Sequence, residues 1–165
     1  MRMALKLVLA AALAGLGAWL WIFLHPSPEE RIRARFAEIA RLVSITTDNN
    51  NLSRLAAARG LADSFSRDAQ ISVHVPEARN FELEGRDDIF NSASGVLSSL
   101  PAMKVEFLDL NISMGAGKKL AQVELTAKIS FPREKDFLPQ ELKCFLKEID
   151  GEWLITRVES VEVLR

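Results

Sequence analysis

LAQVELTAKISF, residues 120–131, alternates without a break. Ala121, Val123, Leu125, Ala127, Ile129 and Phe131 share one parity, and Gln122, Glu124, Thr126, Lys128 and Ser130 share the other. A period of two with one dry face belongs to an antiparallel sheet. Downstream, residues 140–149 read as another strand, Asp150-Gly151 as a two-residue turn, and 153–164 as the strand that completes the hairpin. Upstream, residues 104–114 carry Val105 and Phe107, then Leu108, Leu110 and Ile112. The change of parity between 107 and 108 predicts a β-bulge. Between these strands, Gly115-Ala116-Gly117-Lys118 lacks the spacer and the Ser or Thr of a phosphate loop. It reads as a hairpin turn.

Helical patterns precede the strands. Ser27-Pro28-Glu29-Glu30 carries a cap, a first-turn proline and a capping-box glutamate. Ile32, Phe36, Ile39, Ala40 and Val43 then follow a 3.6-residue period, which predicts a helix over 28–45. A second helix is expected over 51–66, with Leu52, Leu55, Ala56, Ala62 and Phe65 as its apolar stripe. Its arginines 54, 59 and 67 read as a solvated face. Ile71, Val73 and Val75 alternate as a strand, and residues 81–84 suit a short partner. Asp87 is the expected cap of a third helix whose stripe is Ile89, Phe90, Ala93, Val96, Leu97 and Leu100. Helices gathered against a curved, mostly antiparallel sheet make an α+β fold.

The 165 residues carry a formal net charge of −1, with 48% hydrophobic and 26% charged residues. That balance supports a globular domain and excludes a typical nucleic-acid binder, which needs a basic excess against phosphates. The average hides a split, because residues 7–24, LVLAAALAGLGAWLWIFL, carry no charge. Eighteen helical residues cover about 27 Å, close to the hydrocarbon thickness of a bilayer. Trp19 and Trp21 suit its interface, and bulky residues stand where a signal peptidase needs small ones. Residues 1–26 therefore read as a single-pass anchor and 27–165 as one domain. Arg2 and Lys6 favour an inside amino terminus, which places the domain on the outer face of the membrane. One cysteine allows no internal disulfide.

Three stretches carry a family resemblance. Residues 65–71, FSRDAQI, resemble the step from second helix to first strand in the nuclear transport factor 2-like superfamily, in its SnoaL-like branch. Residues 85–89, GRDDI, resemble the start of its third helix, and 150–155, DGEWLI, its final hairpin. The likeness covers roughly residues 29–165. It implies a cone-shaped α+β domain whose sheet wraps a helix and can enclose a pocket, and dimerisation through the sheet in many members. That fold hosts isomerases, dehydratases, cyclases, secretion-system assembly factors and passive binding modules, so the site must decide the function.

Enzymes of the superfamily commonly place a carboxylate or histidine base in the cone, with Tyr or Asp donors opposite. This chain has no tyrosine. Two weak catalytic candidates remain. Asp109 lies mid-strand beside the expected bulge, where desolvation would raise its pKa if it faced the cone. His74 opposes the parity of the apolar residues around it, which points it outward. Cys144 alternates with Leu142 and Leu146 and reads as a small buried hydrophobe. No metal-ligand spacing and no cofactor motif appear. The expectation is a cone filled as an ordinary core; if open, it would be lined by Phe65, Phe90, Phe107, Leu125, Phe131, Phe145 and Trp153. The sequence thus reads as a membrane-anchored, non-enzymatic interaction module of the cell envelope. It would pair with itself or with another envelope protein. The alternative is a small-molecule binder or an isomerase- or dehydratase-like enzyme that takes an apolar ligand inside the cone.

Overall fold

A computed structural model of the chain describes residues 26–74, 81–132 and 137–161. The span read over 7–24, with Trp19 and Trp21, lies outside these residues, as do Val75 and residues 162–164 of the final hairpin. Among the described residues no helix is long and apolar enough to cross a membrane.

Helix α1 (Pro28–Val43) starts as its sequence dictates. The Ser27 hydroxyl accepts from the Glu30 amide, and the Glu30 carboxylate accepts from the Ser27 amide at 2.8 Å. The helix stops two residues earlier than expected. Ser44 turns extended, and Ile45 forms a bridge with Met103. The buried face of α1 is Ile32, Phe36 and Ile39.

Helix α2 (Asn51–Asp63) is capped by Asn50, whose side chain accepts from the Ser53 amide. The stripe expected for it is wrong. Leu52 and Leu55 are 76% and 46% exposed, and the buried residues are Arg54, Ala58 and Ala62. The helix turns its small residues inward because α3 (Arg86–Ser99) packs closely there. Phe65, expected as the last residue of its apolar stripe, already belongs to a strand.

Strand β1 (Phe65–Val73) begins six residues before its apolar alternation does. It runs parallel to β6 (Glu152–Ser160) at Phe65 and again over residues 70–72, and its second half also pairs antiparallel with β2 (Phe81–Glu84). Gly85 then caps α3 with a backbone φ of +84°, a conformation that glycine adopts without strain. Asp87, expected as the cap, lies in the first turn with Asp88, where negative charge suits the helix dipole.

Strands β3 (Lys104–Met114), β4 (Leu120–Ser130) and β5 (Phe137–Ile149) complete one six-stranded sheet in the order β2-β1-β6-β5-β4-β3. Only the β1–β6 pair is parallel. The β5–β6 turn is the expected Asp150-Gly151, with φ values of +51° and +81°. The Gly115–Lys119 segment is a turn between β3 and β4, as expected. The bulge in β3 lies further along than its parity suggested. Leu108 faces Thr126 and Asn111 faces Glu124, so Asp109 and Leu110 together oppose Leu125. The dry face of β4 (Ala121, Val123, Leu125 and Ala127) packs with α1, Cys144, Leu146 and Trp153. The architecture is α+β, three helices on a mixed sheet that curls into a cone.

Candidate functional site

The cone is not filled. A cavity of about 430 Å³ lies between the curled sheet and α1. Helix α1 contributes Phe36 and Ile39. Strand β1 contributes Phe65, Ile71 and Val73, and Phe81 enters from β2. The far wall is Phe107 and Leu125 from β3 and β4, then Leu142, Cys144, Ile155 and Val158 from β5 and β6. A second cavity of about 190 Å³ shares Phe65, Ile71 and Phe81 with the first and continues under α3.

Of the seven expected lining residues, Phe65, Phe107 and Leu125 line the larger cavity. The others do not, and each absence has a cause. Phe145 has the opposite strand parity to Cys144 and stacks beneath the Arg157 guanidinium, 5.8 Å from its ring centre. Phe90 sits under the Arg59 guanidinium at 5.9 Å. Phe131 lies just beyond the end of β4. Trp153 is buried in the core and borders a polar recess with Arg31 and Arg35. These four aromatics are therefore absent from a cavity walled by Phe36, Phe65, Phe81 and Phe107 together with aliphatic side chains. Among the residues missed by sequence reasoning, Phe36 and Ile39 stand in the 3.6-residue stripe of α1, and Leu142 and Cys144 share one parity in β5.

The cavity holds little polar chemistry. Its lining is apolar apart from the Cys144 thiol, and burial pushes that thiol up to about 12. It stays protonated at neutral pH and cannot serve there as a thiolate nucleophile. The structure does not bring the two catalytic candidates to this cavity. Asp109 is exposed at the bulge, in the left-handed region with φ of +55°. His74 is exposed beyond the end of β1, where its backbone amide donates to the Ser160 hydroxyl at 2.9 Å. The second cavity adds one hydroxyl, Ser92. Among the described residues no group of three or more His, Cys, Asp or Glu is placed to hold a metal.

Charge gathers instead on the outer flank of α1. Arg31 pairs with Glu148 at 3.0 Å and also donates to the Gly151 carbonyl. Arg35 pairs with Glu152 at 3.1 Å, and Arg41 with Glu38 at 2.6 Å. Arg33 faces a recess of about 240 Å³ between α1 and β3, floored by Phe36 and Phe107.

No protein-family model matches the chain, and no curated protein matches it. Solved structures do. It is similar over 83% of its length to 87% of a nuclear transport factor 2-like protein of unknown function from Pseudomonas putida, at 11% identity and a TM-score of 0.64. A domain of unknown function with a cystatin-like fold from Nostoc punctiforme gives 15% identity and a TM-score of 0.64, over 86% of this chain and 80% of that one. A candidate scytalone dehydratase of Novosphingobium aromaticivorans gives 16% identity and a TM-score of 0.60, over 82% and 84%. The element order, the single curled sheet and these likenesses agree: the chain has the nuclear transport factor 2-like fold.

Proposed function

We propose that this chain is a non-enzymatic binding module that holds a small apolar ligand inside its cone and is anchored in a membrane by residues 7–24. One observation carries the reading: a cavity of about 430 Å³ whose lining offers apolar surface and a protonated thiol. Apolar lining with few polar groups is what a small-molecule site needs for affinity. An isomerase or dehydratase would need more, namely an acid or base within hydrogen-bond reach of the reacting atom. Asp109 and His74 are exposed and line neither cavity, which favours holding over chemistry. Pairing through the outer face of the sheet, with a second copy or with another envelope protein, belongs to the same proposal. So does the outward placement of the domain.

The test is a titration of the full chain in lipid nanodiscs with the neutral fluorophore N-phenyl-1-naphthylamine, with empty nanodiscs subtracted. Saturable binding at one site is expected. Cys144→Trp, which pushes an indole into the cavity, should abolish it while the circular dichroism of the fold persists. A signal no larger than that of empty nanodiscs would remove the reading.

A further inference from the structure

The recess between α1 and β3 shares two walls with the large cavity. Phe36 and Phe107 line both. Their rings stand edge to face, 5.7 Å apart at 85°, so one aromatic pair separates the recess from the interior. Phe36 is buried, whereas Phe107 is only half-buried. Ala37, Ala40 and Leu110 complete an apolar floor. Arg33 stands over it.

Arg33 differs from its neighbours. Arg31, Arg35 and Arg41 each meet a carboxylate within 3.1 Å. Among the described residues, Arg33 meets only the Leu110 carbonyl, at 3.4 Å. That length is beyond the usual range for an N–H donor, so the contact is readily exchanged. The bulge at Asp109 and Leu110 sets that carbonyl beside α1. Asp109, the nearest carboxylate along the strand, does not line the recess.

We infer that this recess takes the carboxylate of a single-chain fatty acid, held by Arg33, while the tail passes the Phe36–Phe107 pair into the cone. The inference rests on the apolar-ligand reading of the cavity and adds a headgroup to it. The geometry is complementary at both ends: a cation with a weak partner at the mouth, and an apolar interior of about 430 Å³ behind it. Counting about 30 Å³ for each water-sized group, the interior takes about a dozen methylenes. A guanidinium fork suits a carboxylate better than a point charge does. Each added methylene should tighten binding by about fourfold until the cavity is full.

The full chain in nanodiscs, with empty nanodiscs subtracted, is titrated with laurate and with dodecan-1-ol. The two share a chain length and differ in charge at the head. Laurate should bind more tightly. Arg33→Gln should weaken laurate by about five- to tenfold and leave dodecan-1-ol unchanged. Arg33→Lys should restore part of the difference. Arg33 is exposed, so its replacement leaves the core intact. If dodecan-1-ol binds the wild type as well as laurate does, or if Arg33→Gln weakens both alike, the headgroup site is overturned and the cavity reading stands. If neither ligand binds the wild type, the cavity reading fails with it.

Discussion

Arg54 shows how far a residue can depart from its sequence pattern. It sits on a helix between Leu52 and Leu55, where an apolar stripe would place it in solvent. The structure inverts that placement: Arg54 is 8% exposed, and Leu52 is 76% exposed. The cause is the C-terminal end of α3, whose last carbonyls lack helical partners. The Arg54 guanidinium donates to Leu97 and Leu100 at 2.6 Å each, to Pro101 at 3.3 Å and to the Asn49 carbonyl at 3.1 Å. A planar cation with five donors can serve several acceptors at once, and its charge suits a helix C-terminus. Arg54→Met keeps the bulk and removes every donor, leaving buried carbonyls unsatisfied. It should cost about 2–4 kcal/mol in urea unfolding. Arg54→Lys should recover only part of that, since three donors on one nitrogen cannot span the set. Leu52→Ser should stay within about 0.5 kcal/mol of the wild type. A larger loss at Leu52 than at Arg54 would reinstate the stripe that the helix pattern suggests.

At the scale of the element, the β3 bulge decides where Asp109 points. Two residues opposite Leu125 force one of them out of extended backbone, and Asp109 takes φ of +55°. Left-handed backbone strains a side chain, though less for Asp than for most residues. Asp109→Gly should therefore stabilise the fold by about 0.5–1 kcal/mol, and Asp109→Val should cost about 1–2 kcal/mol. Neither should change N-phenyl-1-naphthylamine binding, because Asp109 lines no cavity wall; a loss in Asp109→Gly would return it to the site. The strands also show what a pattern can carry. β4 was legible because every second residue is apolar along its whole length. β1 was legible only from Ile71, because its start at Phe65 is set by pairing with Ile155 of β6, about ninety residues away. The site was partly legible for the same reason. Parity places Phe107 and Leu125 on the inner face, and Phe65 falls in the apolar stripe expected of the second helix. Which inner-face residues surround empty space depends on how far the sheet curls, and curl is a property of the whole sheet that no single strand records.

For the molecule as a whole, the distance between the proposed span and the domain is short. Three residues, and so four peptide steps, separate Leu24 from the first residue of α1. Extended, they reach about 14 Å, and Arg33 lies about 7.5 Å further along the helix axis. A span over 7–24 would thus keep the Arg33 recess close to the lipid headgroups, where a fatty acid leaving the bilayer would meet a cation before it met the cone. This geometry links the anchor to the cavity, and it fails if the anchor does not hold. In isolated membranes the full chain should resist extraction with alkaline carbonate, and a chain beginning at residue 27 should be released. Orientation is separable from anchoring. With the amino terminus inside, protease added to intact spheroplasts should digest the domain without lysis. Digestion only after lysis would turn the domain to the cytoplasmic face while leaving the anchor in place. Release of the full chain by carbonate would remove the anchor itself, and with it the physical reason for a lipid-derived ligand to reach Arg33 first.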